Sequence, residues 1–249
     1  MMGFARGRSS APPVSMDPSQ RVVIDLADDA SAAVLGAPGT GKTTTLIEVV
    51  ADRVLARGWG ADAVLALTTS RATATRLRDA IALRLGVPTT GPMARSVNSL
   101  AFEIVRDAAR TAGALPPRLV SGAEQDVELS SLIEGHLEEG SGPRWPEHLG
   151  PEVRRLRTFR TELRELMTRA TEYDVDVAQL RRLGGAHGHP EWVAAAQLIE
   201  EYTQVLSYRS ETRCDQAELT RYAVAAVERG ELGERASALR LVVVDDLQE

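Results

Sequence analysis

Between residues 31 and 109, short apolar runs alternate with segments whose apolar side chains recur at helical spacing. The apolar runs lie at residues 31–35, 63–67 and 94–97 and predict strands of a sheet. The segments at residues 43–55, 72–85 and 99–109 place apolar residues three and four positions apart, which predicts amphipathic helices. Strands that alternate with helices predict an α/β fold whose mostly parallel sheet is covered by helices.

The pattern changes after residue 111. Strand-like runs give way to Arg- and Glu-rich helical segments, which are broken at residues 116–117, 140–146 and 184–190. A β-branched apolar run at residues 239–244 then predicts one more strand. A sheet that resumes after so long a helical stretch indicates that the helices are inserted into a single α/β domain.

The predicted domain boundaries follow from these changes of pattern. The α/β domain comprises residues 16–111 and 216–249, and the helical insertion comprises residues 112–215. Residues 1–15 are rich in Gly, Ser, Pro and Arg without periodicity, so we expect a disordered leader there.

Composition narrows the class of protein. The chain has 29 basic against 35 acidic residues, a net charge of −6, which argues against binding nucleic acid through bulk positive charge. The single cysteine, Cys214, excludes an internal disulfide and a zinc site built from cysteines. Because the sequence has neither a long apolar span nor a signal-peptide core, we expect a cytoplasmic protein without membrane contact.

A glycine-rich segment carries the clearest chemistry. Residues 36–43, Gly-Ala-Pro-Gly-Thr-Gly-Lys-Thr, fit the pattern GxxxxGK[ST] between a predicted strand and a predicted helix. Backbone N–H groups of such a loop cradle phosphates, Lys42 reaches the β- and γ-phosphates, and the Thr43 hydroxyl ligates Mg2+. Lys42 is also the only lysine beside 28 arginines. The alternative is a glycine turn with a chance Lys-Thr. The predicted nucleotide-binding residues of this segment are Gly36, Ala37, Pro38, Gly39, Thr40, Gly41, Lys42, Thr43 and Thr44.

Two carboxylates follow the strand predicted at residues 239–244. A phosphate-binding loop needs an acidic partner for its metal at the end of a neighbouring strand, and Asp245 occupies that place. Asp246 is then the candidate that orients or deprotonates the attacking water. The alternative is a pair of solvated aspartates at a strand end.

The spacing between Thr43 and Asp245, together with several short segments, resembles superfamily 1A DNA helicases of the UvrD/PcrA/Rep type. The AdnA/AdnB and RecB-like motors belong to the same group. The resemblance implies a RecA-like P-loop domain, called 1A, that is interrupted by a helical insertion, domain 1B. It also implies ATP and Mg2+ as cofactors.

The resemblance implies roles for further residues. Residues 16–21 resemble the family's Q motif, whose glutamine reads the adenine edge, so Gln20 is the implied adenine contact. Residues 67–78 resemble motif Ia and residues 94–101 resemble motif Ib, both of which contact single-stranded DNA. For motif Ia the alternative is a capped helix with a solvated face. The implied DNA contacts are Thr68, Thr69, Arg71, Ser96 and Asn98.

The segment after the last strand departs from the family's motif II, Asp-Glu-x-Gln-Asp. Asp245 and Gln248 are retained as catalytic candidates, beside Lys42. Asp246 replaces the glutamate that acts as catalytic base, and Glu249 replaces the closing aspartate. The shorter carboxylate of Asp246 implies slower hydrolysis.

The resemblance implies an ATP-dependent translocase that acts on single-stranded DNA or a duplex end, in DNA repair or recombination. A second motor or nuclease subunit is an implied partner. Motif III and the second motor domain do not follow residue 249, so we expect a truncated lobe that is inactive alone. Two alternatives stay open: a degenerate, non-catalytic subunit that assembles with an active motor, and a P-loop ATPase that does not act on DNA.

Overall fold

The computed structural model describes residues 15–86, 91–208 and 213–248. Its α-helices are α1 Pro18–Ile24, α2 Lys42–Ala51, α3 Arg71–Leu85, α4 Val97–Thr111, α5 Gly122–Glu139, α6 Pro151–Arg155, α7 Arg157–Glu172, α8 Val177–His187, α9 Pro190–Ser207, α10 Gln216–Glu228 and α11 Glu234–Ser237. The strands are β1 Val64–Thr68, β2 Ala94–Ser96, β3 Arg118–Leu119, β4 Arg213–Cys214 and β5 Leu241–Val244. The chain divides into two compact units, Met1–Leu100 with Leu232–Glu249, and Ala101–Glu231.

The first unit is built on a parallel three-stranded sheet in the order β2-β1-β5. All five residues of β1 are buried, as expected for the central strand of a sheet with both faces covered. Apolar side chains of α2 and α3, among them Val50, Leu77 and Ile81, pack against Val64 and Ala66 of that strand. The strands predicted at residues 63–67, 94–97 and 239–244 are therefore confirmed, with ends shifted by one or two residues.

The strand predicted at residues 31–35 is wrong. These residues form no strand, and Val34 and Leu35 are 43% and 94% exposed. Among the described residues, β5 is bonded on one side only, to β1, and no strand of the sheet pairs with residues 31–35. An apolar run adopts strand structure only where a neighbour satisfies its backbone N–H and C=O groups.

The second unit is mostly helical. Its apolar core joins Leu129 and Ile133 of α5 with Leu163 of α7, Leu180 of α8 and Leu198 of α9. The sequence did not predict its two-residue parallel ladder, in which Arg118 and Leu119 of β3 pair with Arg213 and Cys214 of β4.

The break predicted at residues 184–190 begins inside a helix. Gly184 belongs to α8, which ends at His187 and is capped by Gly188, within the predicted break. A Cβ on Gly184 would lie 2.9 Å from the carbonyl oxygen of His189 and 3.0 Å from Trp192. The glycine therefore permits close packing of α8 against the start of α9, rather than ending the helix.

The expected domain boundaries differ from those of the compact units. The units divide at Leu100 and Ala101 and again at Glu231 and Leu232, so most of α4 and all of α10 lie in the helical unit. The leader expected at residues 1–15 lies outside the described residues except for Ser15. None of the described helices has the length and apolar character needed to cross a bilayer.

Candidate nucleotide-binding site

The glycine loop turns directly into the N-terminus of α2. Gly39 and Gly41 have φ angles of 81° and 86°, in the left-handed region that favours glycine. Gly41 is the N-cap of α2, whose first turn contains no acidic residue, so the positive end of the helix faces the loop. The backbone thus has the form that binds an anion at a helix N-terminus.

The Lys42 side chain folds back over this loop. Its Nζ donates hydrogen bonds to the carbonyl oxygens of Gly36 and Ala37, at 2.9 and 3.1 Å. The Thr40 hydroxyl donates to the same Ala37 carbonyl at 2.8 Å, which tightens the turn. The ammonium group is therefore held close to the backbone that would surround a phosphate.

Thr43 and Asp245 are brought together from opposite ends of the chain. The Thr43 hydroxyl donates to Asp245 Oδ2 at 2.9 Å, across 202 positions of sequence. The Asp245 N–H donates to the Leu67 carbonyl oxygen at 2.9 Å and so extends the β1–β5 ladder by one residue. The sheet register thereby fixes the carboxylate beside the start of α2.

These oxygen donors fit a magnesium ion. A hydroxyl and a carboxylate are hard ligands of the kind that Mg2+ takes together with water and substrate phosphates. The described residues contain no cluster of three or more His, Cys, Asp or Glu side chains able to hold a metal by themselves. A cation at Thr43 and Asp245 would therefore depend on phosphate oxygens for its remaining ligands.

The Gln20 amide lies against the same loop. In α1, the Asp17 side chain accepts from the Gln20 N–H, and Gln20 Oε1 accepts in return from the Asp17 N–H at 3.0 Å. A Cβ on Gly41 would lie only 2.8 Å from Gln20 Nε2. The structure therefore places the side chain implied to read adenine beside the residue that opens α2.

Asp246 and Gln248 follow the site on the turn after β5. Asp246 has a φ of 55°, in the left-handed region that aspartate tolerates better than most residues. Its side chain is half-buried, whereas Gln248 is exposed. Glu249 lies outside the described residues.

Two of the implied DNA contacts are buried. Thr68 is 2% exposed, and its hydroxyl is bonded to Thr73 Oγ1 and to the Ser70 carbonyl oxygen. Ser96 is 4% exposed, and its hydroxyl is bonded to Ser99. Both hydroxyls are used inside the strand-to-helix corners, so the DNA contacts of Thr68 and Ser96 stay predictions that these buried side chains do not favour.

The other implied DNA contacts remain accessible. Thr69 and Arg71 are exposed at the end of β1 and the start of α3, and Asn98 is half-buried in the first turn of α4. Thr69 and Arg71 thus present a hydroxyl and a cation at the same edge of the sheet as Asp245.

One family model, the UvrD/REP helicase N-terminal domain, matches residues 16–249. The chain belongs to this family. No curated protein matches the chain in sequence.

Membership of the UvrD/REP helicase family supports a general function for the chain. The family is one of ATP-dependent helicases, and the glycine loop has the sequence pattern of a phosphate-binding loop. The match begins at Met16 and therefore includes the segment that carries Gln20.

Sequence reasoning missed two arginines at the far end of the helical element that begins at this site. Arg53 and Arg57 lie on a π-helical segment, Asp52–Ala56, and on the residue that follows it. Arg53 is 3% exposed and is bonded to one backbone carbonyl at the end of α1 and to another just after it. The available signal was its spacing, because Arg53 falls three and four positions after Val50 and Val49, on the apolar face of α2.

Proposed function

We propose that this chain is the ATP-binding motor lobe of a DNA translocase that acts on single-stranded DNA. The 2.9 Å contact between the Thr43 hydroxyl and Asp245 carries the proposal. It joins the end of the phosphate-binding loop to an acidic residue at the end of a neighbouring parallel strand, an arrangement used for magnesium nucleotides.

Each residue of the site then has a defined part. The loop N–H groups and Lys42 bind the phosphates, and Thr43 and Asp245 hold Mg2+, which when bound neutralises charge on the phosphate oxygens. Asp246 orients the attacking water. Its side chain is shorter than that of a glutamate, so we expect slow hydrolysis. Gln248 is assigned to the catalytic group on the family resemblance alone.

The remaining parts of the proposal concern DNA and partners. We assign the unit Ala101–Glu231 to the inserted domain 1B and its companion to the RecA-like domain 1A. Thr69, Arg71 and Asn98 are the proposed DNA contacts. DNA repair or recombination is the proposed process, in the cytoplasm and with a second motor or nuclease subunit as partner.

Asp245→Asn tests the metal site. The variant keeps the shape of the side chain and removes its charge, so we expect Mg2+ to strengthen ATP binding about 10- to 100-fold less than in the wild type. Calorimetry with ATP, with and without Mg2+, measures this difference. Asp79→Asn is the matched control, since that side chain is 70% exposed on α3. An unchanged Mg2+ dependence in Asp245→Asn would exclude this carboxylate as a ligand.

Arg71→Ala tests the DNA corner. If Arg71 contacts one phosphate, its loss lowers the salt dependence of single-stranded DNA binding by about 0.7 in log affinity per log salt. Fluorescence anisotropy of an oligothymidine at several salt concentrations gives this slope. Arg240→Ala is the control, because Arg240 is exposed and precedes β5, at the opposite edge of the sheet. Magnesium ATP binding without any affinity for DNA would favour the P-loop ATPase that does not act on DNA.

A further inference from the structure

The helix that carries Gln20 has little apolar anchoring, since its apolar residues Val23 and Ile24 are only half-buried. α1 has seven residues, Pro18–Ile24, and none of them is buried. A helix this short is marginal on its own, and its capping box stabilises its first turn without attaching it to its surroundings. Polar contacts elsewhere in α1 therefore contribute to the position of Gln20 over the phosphate loop.

Those contacts come from Arg53 at the opposite end of the helix. Its Nη1 donates to the Ile24 carbonyl oxygen at 3.0 Å, and its Nη2 donates to the Leu26 carbonyl oxygen at 2.8 Å. The last carbonyls of a helix have no partner within it and carry the negative end of its dipole. A buried guanidinium is thus bonded to the carbonyls at this end of α1.

Arg57 adds a second guanidinium to the same point. Its Nη2 donates to the Ile24 carbonyl oxygen at 3.2 Å and its Nη1 donates to Asp28 Oδ1 at 2.7 Å. Asp52 Oδ2 accepts from Arg53 Nη1 at 2.6 Å and from Arg57 Nε at 2.8 Å. The two carboxylates hold both cations side by side, which offsets their repulsion.

The pair of arginines, here called the arginine clamp, is attached firmly to the phosphate-binding helix. Arg53 lies on the π-helical segment that continues α2 without interruption, and Arg57 is the residue that follows this segment. The Trp59 N–H donates to the Arg53 carbonyl oxygen at 2.9 Å, and the Trp59 ring, which is 8% exposed, lies 5.9 Å from the guanidinium. One rigid element therefore carries the phosphate site at its start and the clamp at its end.

We propose that Arg53 and Arg57 are positioning residues for base recognition. By holding the C-terminal end of α1, they keep the Gln20 amide against Gly41, where it meets the base of a nucleotide whose phosphates lie on the loop. The inference rests on the proposed nucleotide site and on the adenine contact of Gln20. It adds that the preference for adenine depends on two side chains that do not touch the nucleotide.

The experiment compares dissociation constants for ATP, UTP and inorganic tripolyphosphate, all with Mg2+, on the full chain. Arg57→Met is the main variant because this side chain is 28% exposed, and Arg53→Met is the second. Gln20→Ala defines complete loss of the base contact. Arg240→Met is the control, because Arg240 lies 3.7 Å from the Trp59 ring and 3.9 Å from Asp28 but makes no hydrogen bond to α1 within the described chain.

We expect the wild type to prefer ATP to UTP by about fivefold or more, since one hydrogen-bonding side chain contributes roughly that factor. Arg57→Met and Gln20→Ala are each expected to reduce this ratio to near unity and to leave tripolyphosphate affinity unchanged. Combining them should bring no further loss, because both act on one contact. Arg240→Met should keep the wild-type ratio.

Each contrary result has a separate meaning. A wild type that binds ATP and UTP equally would refute the adenine contact of Gln20, and the inference with it. If Gln20→Ala loses the preference and both clamp variants keep it, the inference alone is overturned. It is also overturned if the clamp variants lose tripolyphosphate affinity as strongly as ATP affinity, because the arginines would then support the phosphate loop instead.

Discussion

Lys42→Ala is expected to lower the affinity for magnesium ATP by roughly 10- to 100-fold, because it removes a charged hydrogen-bond donor from the phosphates. The Lys42 ammonium is already held over the loop by the Gly36 and Ala37 carbonyl oxygens, so little reorganisation is needed for it to reach a phosphate. Calorimetry with a slowly hydrolysed ATP analogue measures the loss. The affinity should fall mainly through the γ- and β-phosphates, so ADP binding should weaken less than ATP binding.

Two comparisons make this result specific. Arg76→Ala removes an equal charge from an exposed position on α3 and should leave the affinity unchanged. Lys42→Arg keeps the charge but replaces a compact ammonium with a larger planar fork, so we expect it to bind ATP less well than the wild type. Equal affinities for the wild type and Lys42→Ala would contradict the phosphate-binding assignment of the loop.

Leu129→Ala is expected to destabilise the helical unit by about 2 to 5 kcal/mol. Leu129 is fully buried, at 0% exposure, where α5 packs into the core of that unit, and its removal leaves a cavity. Urea unfolding followed by circular dichroism measures the change in free energy. Because the substitution lies far from the glycine loop in sequence, ATP affinity at low urea should remain that of the wild type.

Val127→Ala is the matched control on the same helix. Val127 is 65% exposed, so shortening it should change the free energy of unfolding by less than about 0.5 kcal/mol. A similar destabilisation by both substitutions would mean that α5 is not packed by the face that contains Leu129.

The sequence correctly predicted the strands and helices whose structure depends on the local spacing of apolar residues. Residues 63–67 are an unbroken apolar run in the buried central strand of the sheet, and Leu77, Ile81 and Leu85 keep the helical spacing of one buried face. The proximity of Thr43 and Asp245 could also be predicted from the sequence, because the carboxyl ends of parallel strands meet at one edge of a sheet.

The errors concern properties that depend on distant neighbours. The run at residues 31–35 has the composition of a strand, but strand formation needs a partner that no local pattern reveals. The β3–β4 ladder joins Leu119 to Cys214, and only the fold brings these residues together. The direction of a hydroxyl is equally hidden, since Thr68 and Thr69 are adjacent and of one type, yet only Thr69 is exposed.

The scarcity of lysine leaves the chain with one side chain that amine-specific reagents can modify. With 28 arginines and one lysine, its only side-chain amine is the one held over the phosphate loop. An amine-specific acylating reagent can therefore modify a single side chain, and we expect bound triphosphate to shield it. The only thiol, Cys214, is buried in β4, and burial raises its pKa to about 11, so it remains protonated and unreactive at neutral pH. The extent of Lys42 acylation can therefore measure occupancy of the nucleotide loop without an engineered tag.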